Sequence, residues 1–229
     1  MNIDRSKNVV VVFLFLAVAF IIYGPALNGG WYLDDYPSLV FKASTRSIPL
    51  ALNELFLPRG IVRLTFSLDY FFWGLNPAYS RALNVLIHVG NSLLIVLLSR
   101  KLLNGRHRAL ILLAGLFFLC HPVQTSAVNY VVQRMALLSC LFALSCVYFL
   151  WRHLEQRRSL PDRRVWRWSV LALLCGVLSV MCKENTVLLP AIVPLLVWKE
   201  NQDHACHEKP SKGWLKLFLL MTALPLLAI

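Results

Sequence analysis

Charge is what this sequence has little of. Only 15% of its 229 residues are Asp, Glu, Lys or Arg, against about 25% in an ordinary soluble domain. The shortage is mainly acidic, with 11 Asp and Glu beside 23 Lys and Arg. The six cysteines show neither the spacing of a zinc site nor a disulfide framework. Five of them, Cys120, Cys140, Cys146, Cys175 and Cys182, lie in or at the ends of apolar runs and read as small buried hydrophobes. His204, Cys206, His207 and Glu208 are metal-ligand residue types in a polar stretch, but no second cluster completes a site, so no metal is expected and no cofactor motif is seen. Nor is there an internal repeat, a low-complexity tract or one concentrated basic patch. The net charge of +12 is divided among short clusters between apolar runs, which argues against nucleic acid as a partner.

What is there is apolar length. Hydrophobic residues make up 58% of the chain, and more long apolar runs occur than one soluble core of this size can hide. A bilayer accommodates them, because a helix satisfies its own backbone hydrogen bonds. The expected class is therefore all-α: a polytopic transmembrane helical bundle of about six or seven spans. The runs lie at residues 9–27, 83–98, 109–120, 135–151, 169–182, 186–198 and 215–229. Several are shorter than the ~20 residues a bilayer asks for. The 109–120 run must borrow flanking residues, with Arg106 and Arg108 snorkelling. Residues 169–198 permit two short helices, a re-entrant hairpin or one kinked span. The first run lacks a small-x-small cleavage site and reads as an uncleaved span rather than a signal peptide. The last run ends at Ile229 without a polar flank, as expected of the N-terminal part of a longer chain.

Lys and Arg give the molecule a side. The N-terminus and the segments 100–108, 152–167 and 199–216 hold sixteen of the 23 basic residues, which assigns them and the N-terminus to the cytoplasm. The 28–81 loop, the 121–134 loop and the Lys183-Glu184 turn then face away from it.

The first of those loops is the richest in chemistry. Gly29-Gly30-Trp31-Tyr32-Leu33-Asp34-Asp35-Tyr36-Pro37 sets two adjacent carboxylates among aromatics beside a membrane, where ionised groups are costly. Such surroundings raise a carboxyl pKa towards that of a general base; on spacing alone, an ordinary acidic turn before Pro37 is the simpler reading. Residues 47–57 carry a capping serine, an early proline and leucines at helical spacing, the pattern of an amphipathic helix lying on the membrane. Arg59 and Arg63 follow, either binding a lipid phosphate bidentately or snorkelling, then a dense aromatic group at Phe66, Tyr70, Phe71, Phe72 and Trp73. In the second run, Asn84, His88 and Asn91 share one helix face. A polar stripe in lipid turns inward, either to join helices or, less simply, to line a cavity. The 121–134 loop mixes polar and apolar residues as a half-embedded helix does, and Lys183-Glu184 brings an ion pair to the same side. Thus Asp34, Asp35, His121, Gln124, Arg134, Lys183 and Glu184 are candidates for one membrane-face site.

Five blocks in fixed order carry a family resemblance: Asp34-Asp35-Tyr36-Pro37; Leu64-Thr65-Phe66-Ser67-Leu68-Asp69-Tyr70; Asn84, His88 and Asn91; His121-Pro122-Val123-Gln124-Thr125 with Val132-Gln133-Arg134; and Lys183-Glu184-Asn185. From Trp31 to Trp198 the chain resembles the N-terminal membrane part of bacterial TPR-associated glycosyltransferases of the C-type superfamily, which are similar to the transmembrane-and-TPR protein O-mannosyltransferases of animals. The resemblance implies a polytopic glycosyltransferase of a bacterial inner membrane. It would take a sugar from a polyprenyl-phosphate donor, with membrane lipids around it and a protein or glycan hydroxyl, such as Ser or Thr, as acceptor. It further implies an acidic base in the first loop, Asp35 or Asp34, with Asp35 marginally favoured. Arg59, Arg63, Arg134 and Lys183 would face the donor phosphate, and His121, Gln124, Glu184, Asn84, His88 and Asn91 would support them. Two residues depart from the family pattern: Gly60 follows Arg59 where proline is usual, and Ser126 stands where an acid is frequent. The family's further membrane helices and TPR repeats also lie outside these residues. Competing readings are a non-enzymatic, truncated membrane relative and a transporter or flippase. The crowding of charge at one face, rather than mid-membrane, disfavours the transporter.

Overall fold

A computed structural model of the protein describes residues 5–157, 162–192 and 195–196. Every regular element among them is helical. The α-helices are α1 (Arg5–Tyr23), α2 (Ile48–Asn53), α3 (Gly60–Trp73), α4 (Pro77–Leu102), α5 (Arg108–Cys120), α6 (Gln124–Asn129), α7 (Arg134–Arg157) and α8 (Asp162–Cys182).

Four stretches are long and apolar enough to cross a bilayer: Asn8–Asn28, Pro77–Leu102, Val131–Gln156 and Val165–Cys182. Their outer faces are greasy. Phe13, Phe20 and Ile21 on α1 and Phe117 on α5 are 67–74% exposed, a surface that suits lipid and not water. The helix α5 has 13 residues, about 20 Å of rise, and so falls short of a ~30 Å hydrocarbon core. Its start, Arg108, is exposed. The expected 169–182 run belongs to a longer helix, since α8 begins at Asp162 inside the segment read as a basic loop. Beyond Lys183 the chain forms a 3-10 helix, Glu184–Ala191, rather than continuing α8. Most of the expected 186–198 run after that helix, and all of 215–229, lie outside the described residues.

Local signals explain the second span. Asn76 caps α4 by accepting a hydrogen bond from the Ala78 N–H at 3.0 Å, and Pro77 occupies the first turn. Arg100 and Lys101 sit in the last turn, where cations complement the helix dipole, and Gly105 at φ +71° lets the chain turn back. The helices α4, α5 and α1 then pack closely because Gly115 has no side chain. A Cβ there would come within 2.4 Å of Val96 and 3.0 Å of Phe15. The helices α7 and α8 pair through Cys146, Val147, Leu150 and Leu154 against Ala172 and Cys175, and Ser139 and Ser179 hydrogen-bond across the same seam.

The first loop is more helical than its sequence suggests. The expected amphipathic helix at 47–57 shrinks to the six residues of α2. A second one, α3, buries Val62, Phe66, Ser67 and Asp69 while exposing Leu68, Phe71 and Phe72. The Gly60 that departs from the family pattern has a steric reason: a Cβ would lie 2.2 Å from the Leu55 carbonyl oxygen and 2.3 Å from that of Glu54.

Candidate active site

Polar side chains of α4 hold the backbone of two connections at one end of the bundle, the one after α1 and the one around α6. Arg81, Asn84, His88 and Asn91 lie on one face of that helix and are 0–1% exposed. Asn84 Nδ2 lies 3.3–3.4 Å from the carbonyl oxygens of Val128, Tyr130 and Val131. His88 Nε2 is 3.2 Å from the Leu119 carbonyl, and Tyr23 donates its hydroxyl to that same carbonyl at 2.8 Å. Asn91 donates to the Leu137 carbonyl at 3.0 Å. The stripe therefore joins helices and loops by giving backbone carbonyls partners that lipid lacks.

Arg81 extends this role to the first loop. Its Nε donates to the Asn129 carbonyl at 3.0 Å, its other nitrogens donate to the carbonyls of Gly29 and Gly30, and its guanidinium lies 5.4 Å from the Tyr32 ring centroid. One side chain thus ties the loop after α1 to the turn after α6. Sequence reasoning passed over Arg81, although it stands three residues before Asn84 and hence on the same helix face.

The two adjacent carboxylates differ. Asp35 is fully buried, its Oδ2 accepting from the Tyr32 N–H at 3.0 Å and its Oδ1 from the Val132 N–H at 2.8 Å. Asp34 is exposed, and its carboxylate has no hydrogen bond or ion pair among the described residues. The chain enters the pair through Leu33 at φ +28°. Asp35 thus fastens the loop while Asp34 is presented outward.

The four candidate phosphate-binding cations divide in the same way. Arg134 is fully buried and paired with Asp69 at 2.6 Å. Arg63 pairs with Glu54 at 2.8 Å, beside the turn that Gly60 permits. Arg59, with φ +64°, holds its loop to the end of α8 by donating its N–H to the Met181 carbonyl at 3.0 Å. Its guanidinium is half exposed and 3.5 Å from Glu184, also half exposed. Glu184 is held below the usual carboxylate range, mainly by its own backbone N–H; burial opposes this, and Arg59 and Lys183 add to it. Lys183 is half-buried at the start of the same turn. His121 is engaged locally: its Nδ1 accepts from the Val123 N–H at 3.2 Å and its ring stands edge-on to Phe117. Gln124 opens α6, half-buried. Among the described residues no hydrogen bond or ion pair joins His121 or Gln124 to the two aspartates. Among the described residues no group of three His, Cys, Asp or Glu is arranged to hold a metal.

Four bilayer-length helices, with loops folded over one end and an outward carboxylate there, define the class: an integral membrane protein of helical-bundle type with a candidate site at one membrane face. Among curated proteins, the chain is similar to "Protein O-mannosyl-transferase Tmtc1" of Drosophila melanogaster, 30% identical over 210 residues, or 83% of this chain and 23% of that one. It is 27% identical over 193 residues to "Protein O-mannosyl-transferase TMTC1" of Homo sapiens, covering 76% of this chain and 22% of the relative. With "Protein O-mannosyl-transferase TMTC2" of Mus musculus it shares 31% identity over 134 residues, 58% and 16% of the two chains. The chain is thus similar to protein O-mannosyl-transferases over most of its own length, and it spans about a sixth to a quarter of the length of these proteins. No family model matches it, and no solved structure does.

Proposed function

We propose that the chain carries the acceptor-activating and donor-phosphate-binding part of a membrane glycosyltransferase. The transfer would move a mannosyl group from a polyprenyl-phosphate carrier to a Ser or Thr hydroxyl on the non-cytoplasmic face. The sidedness rests on the basic residues, which favour the end opposite the folded loops. The sugar and acceptor follow from the relatives' names.

Asp34 is the base in this reading, and Asp35 positions it. The observation that carries the assignment is the split of the pair, with one carboxylate bonded to two backbone amides and its neighbour exposed and without a partner among the described residues. The acceptor hydroxyl gives its proton to Asp34 as its oxygen bonds to the anomeric carbon. The bond from that carbon to the phosphate oxygen breaks, and its electron pair leaves with the polyprenyl phosphate. Arg59 and Lys183, whose charges are least committed, offset the charge on that leaving group.

The test is mannosyl transfer from polyprenyl-phosphate mannose by the protein expressed from its own gene, comparing Asp34→Asn with wild type. Loss of turnover by roughly 100-fold or more, with unchanged thermal stability, is expected of a general base. Wild-type turnover in Asp34→Asn would remove the assignment. One observation favours a second reading, a non-catalytic membrane partner: Arg134 and Arg63 are both occupied by protein carboxylates. That reading predicts no transfer by the wild type itself.

A further inference from the structure

We infer that Asp69 and Arg134 are positioning residues for the Asp34-Asp35 loop, an inference that rests on the reading of Asp34 as base. Arg134 is the first residue of α7 and 0% exposed. Its Nη2 donates to Asp69 Oδ2 at 2.6 Å and to the Ser80 carbonyl at 3.0 Å, its Nε to Asn84 Oδ1 at 2.9 Å, and its Nη1 to Thr65 Oγ1 at 3.3 Å. The Phe66 ring lies against the guanidinium, 4.2 Å from its carbon to the ring centroid. Ser80 donates its hydroxyl to the same Asp69 oxygen at 2.6 Å. One cation therefore joins α3, the start of α4 and the start of α7.

Two residues before Arg134 is Val132, whose N–H holds Asp35. The turn Val131–Gln133 bridges them, and Asn84, itself oriented by Arg134, lies against the carbonyls just upstream. A shift of Arg134 is thus passed through three residues of backbone to the amide that fixes Asp35, and so to Asp34 next to it. A buried ion pair is a poor source of stability, because desolvation of both partners offsets their attraction. Its directional, four-partner bonding suits the setting of one loop geometry.

The experiment uses the full chain in detergent, with Asp69→Asn as an isosteric change and Thr65→Val as a milder one that removes the 3.3 Å contact to Arg134 and the hydroxyl's bond to the Val62 carbonyl within its own helix. Hydrogen exchange is followed in peptides covering residues 31–36 and 128–133, with 140–150 of α7 as the internal control. Asp69→Asn is expected to accelerate exchange about tenfold or more in the first two and leave the third unchanged. Thr65→Val should fall between it and wild type. In the same preparations kcat should drop about tenfold or more with little change in the donor KM, the mark of a displaced base rather than a lost donor contact. Unchanged exchange at 31–36 in Asp69→Asn would overturn the inference, and so would uniform loosening that includes 140–150. If Asp69→Asn does not fold, the Thr65→Val pattern decides by the same criteria. A wild type without transferase activity would sink the proposed function, while the exchange pattern would still report on the coupling.

Discussion

The two ends of the bundle carry charge in opposite ways. At the loop end Asp35, Asp69, Arg81 and Arg134 are 0–5% exposed, and each is bonded to another element. At the other end Arg106, His107 and Arg108 are exposed. A close pair there, Lys101 with Glu155 at 2.6 Å, joins helix surfaces with side chains 14% and 36% exposed. Arg152 and Arg167 lie about the Trp168 ring, 5.2 and 5.0 Å from its centroid. The difference follows from what each end must hold. Regular helix ends facing water need only a cationic fringe. Loops that fold back over a membrane bundle leave backbone groups without water, and buried side chains must serve them.

The sharpest way to break this comparison is to remove the side chain that serves most backbone. Arg81→Met would leave the carbonyls of Gly29, Gly30 and Asn129 without their donor. A loss of about 3 kcal/mol or more is expected, as for several buried acceptors left without a donor, and should register as a drop of several degrees in thermal unfolding in detergent. A melting temperature within about a degree of wild type would show that the loop end does not depend on buried charge.

Part of this contrast was readable in the sequence. The apolar runs and the inward polar stripe of Asn84, His88 and Asn91 follow from period alone, and the structure places all three inside. Other parts depend on partners distant in the chain. Asp69 sits in a block singled out for its resemblance, yet its role depends on Arg134, 65 residues away. Asp34 and Asp35 are equivalent by spacing; they differ because the Val132 amide, 97 residues on, reaches one of them. The helix α3 was obscured by its aromatics, which mark a membrane interface whether or not the backbone is helical. Arg81 goes unmarked in the sequence because nothing local announces that Gly29 and Gly30 present carbonyls to it.

At the opposite end the matching substitution should matter little. Lys101→Ala removes a pair that is partly screened by solvent, so a change of about 1 kcal/mol or less is expected. A double-mutant cycle with Glu155→Gln measures the pair itself. A coupling as large as the Arg81 effect would show that both ends rely on their charges equally, and the contrast would fail.

The smallest effect should come from an exposed loop-end pair. Arg59 and Glu184 are 3.5 Å apart with side chains 49% and 43% exposed, a geometry in which salt and water weaken the attraction. Because the folded-state pKa of Glu184 is depressed, its contribution is complete above the unfolded pKa and is lost as pH falls through the folded one. Stability attributable to this group should therefore be flat across about pH 6–8 and fade only below the ordinary Glu value of about 4.3. Melting curves of wild type and Glu184→Gln should differ by no more than about a degree at neutral pH and converge in acid. Such weakness is what the proposed role of Arg59 asks for, since a cation held loosely by a carboxylate can exchange it for a phosphate. A loss of several degrees in Glu184→Gln would make Arg59 a structural cation like Arg134 and remove it from the donor-binding set.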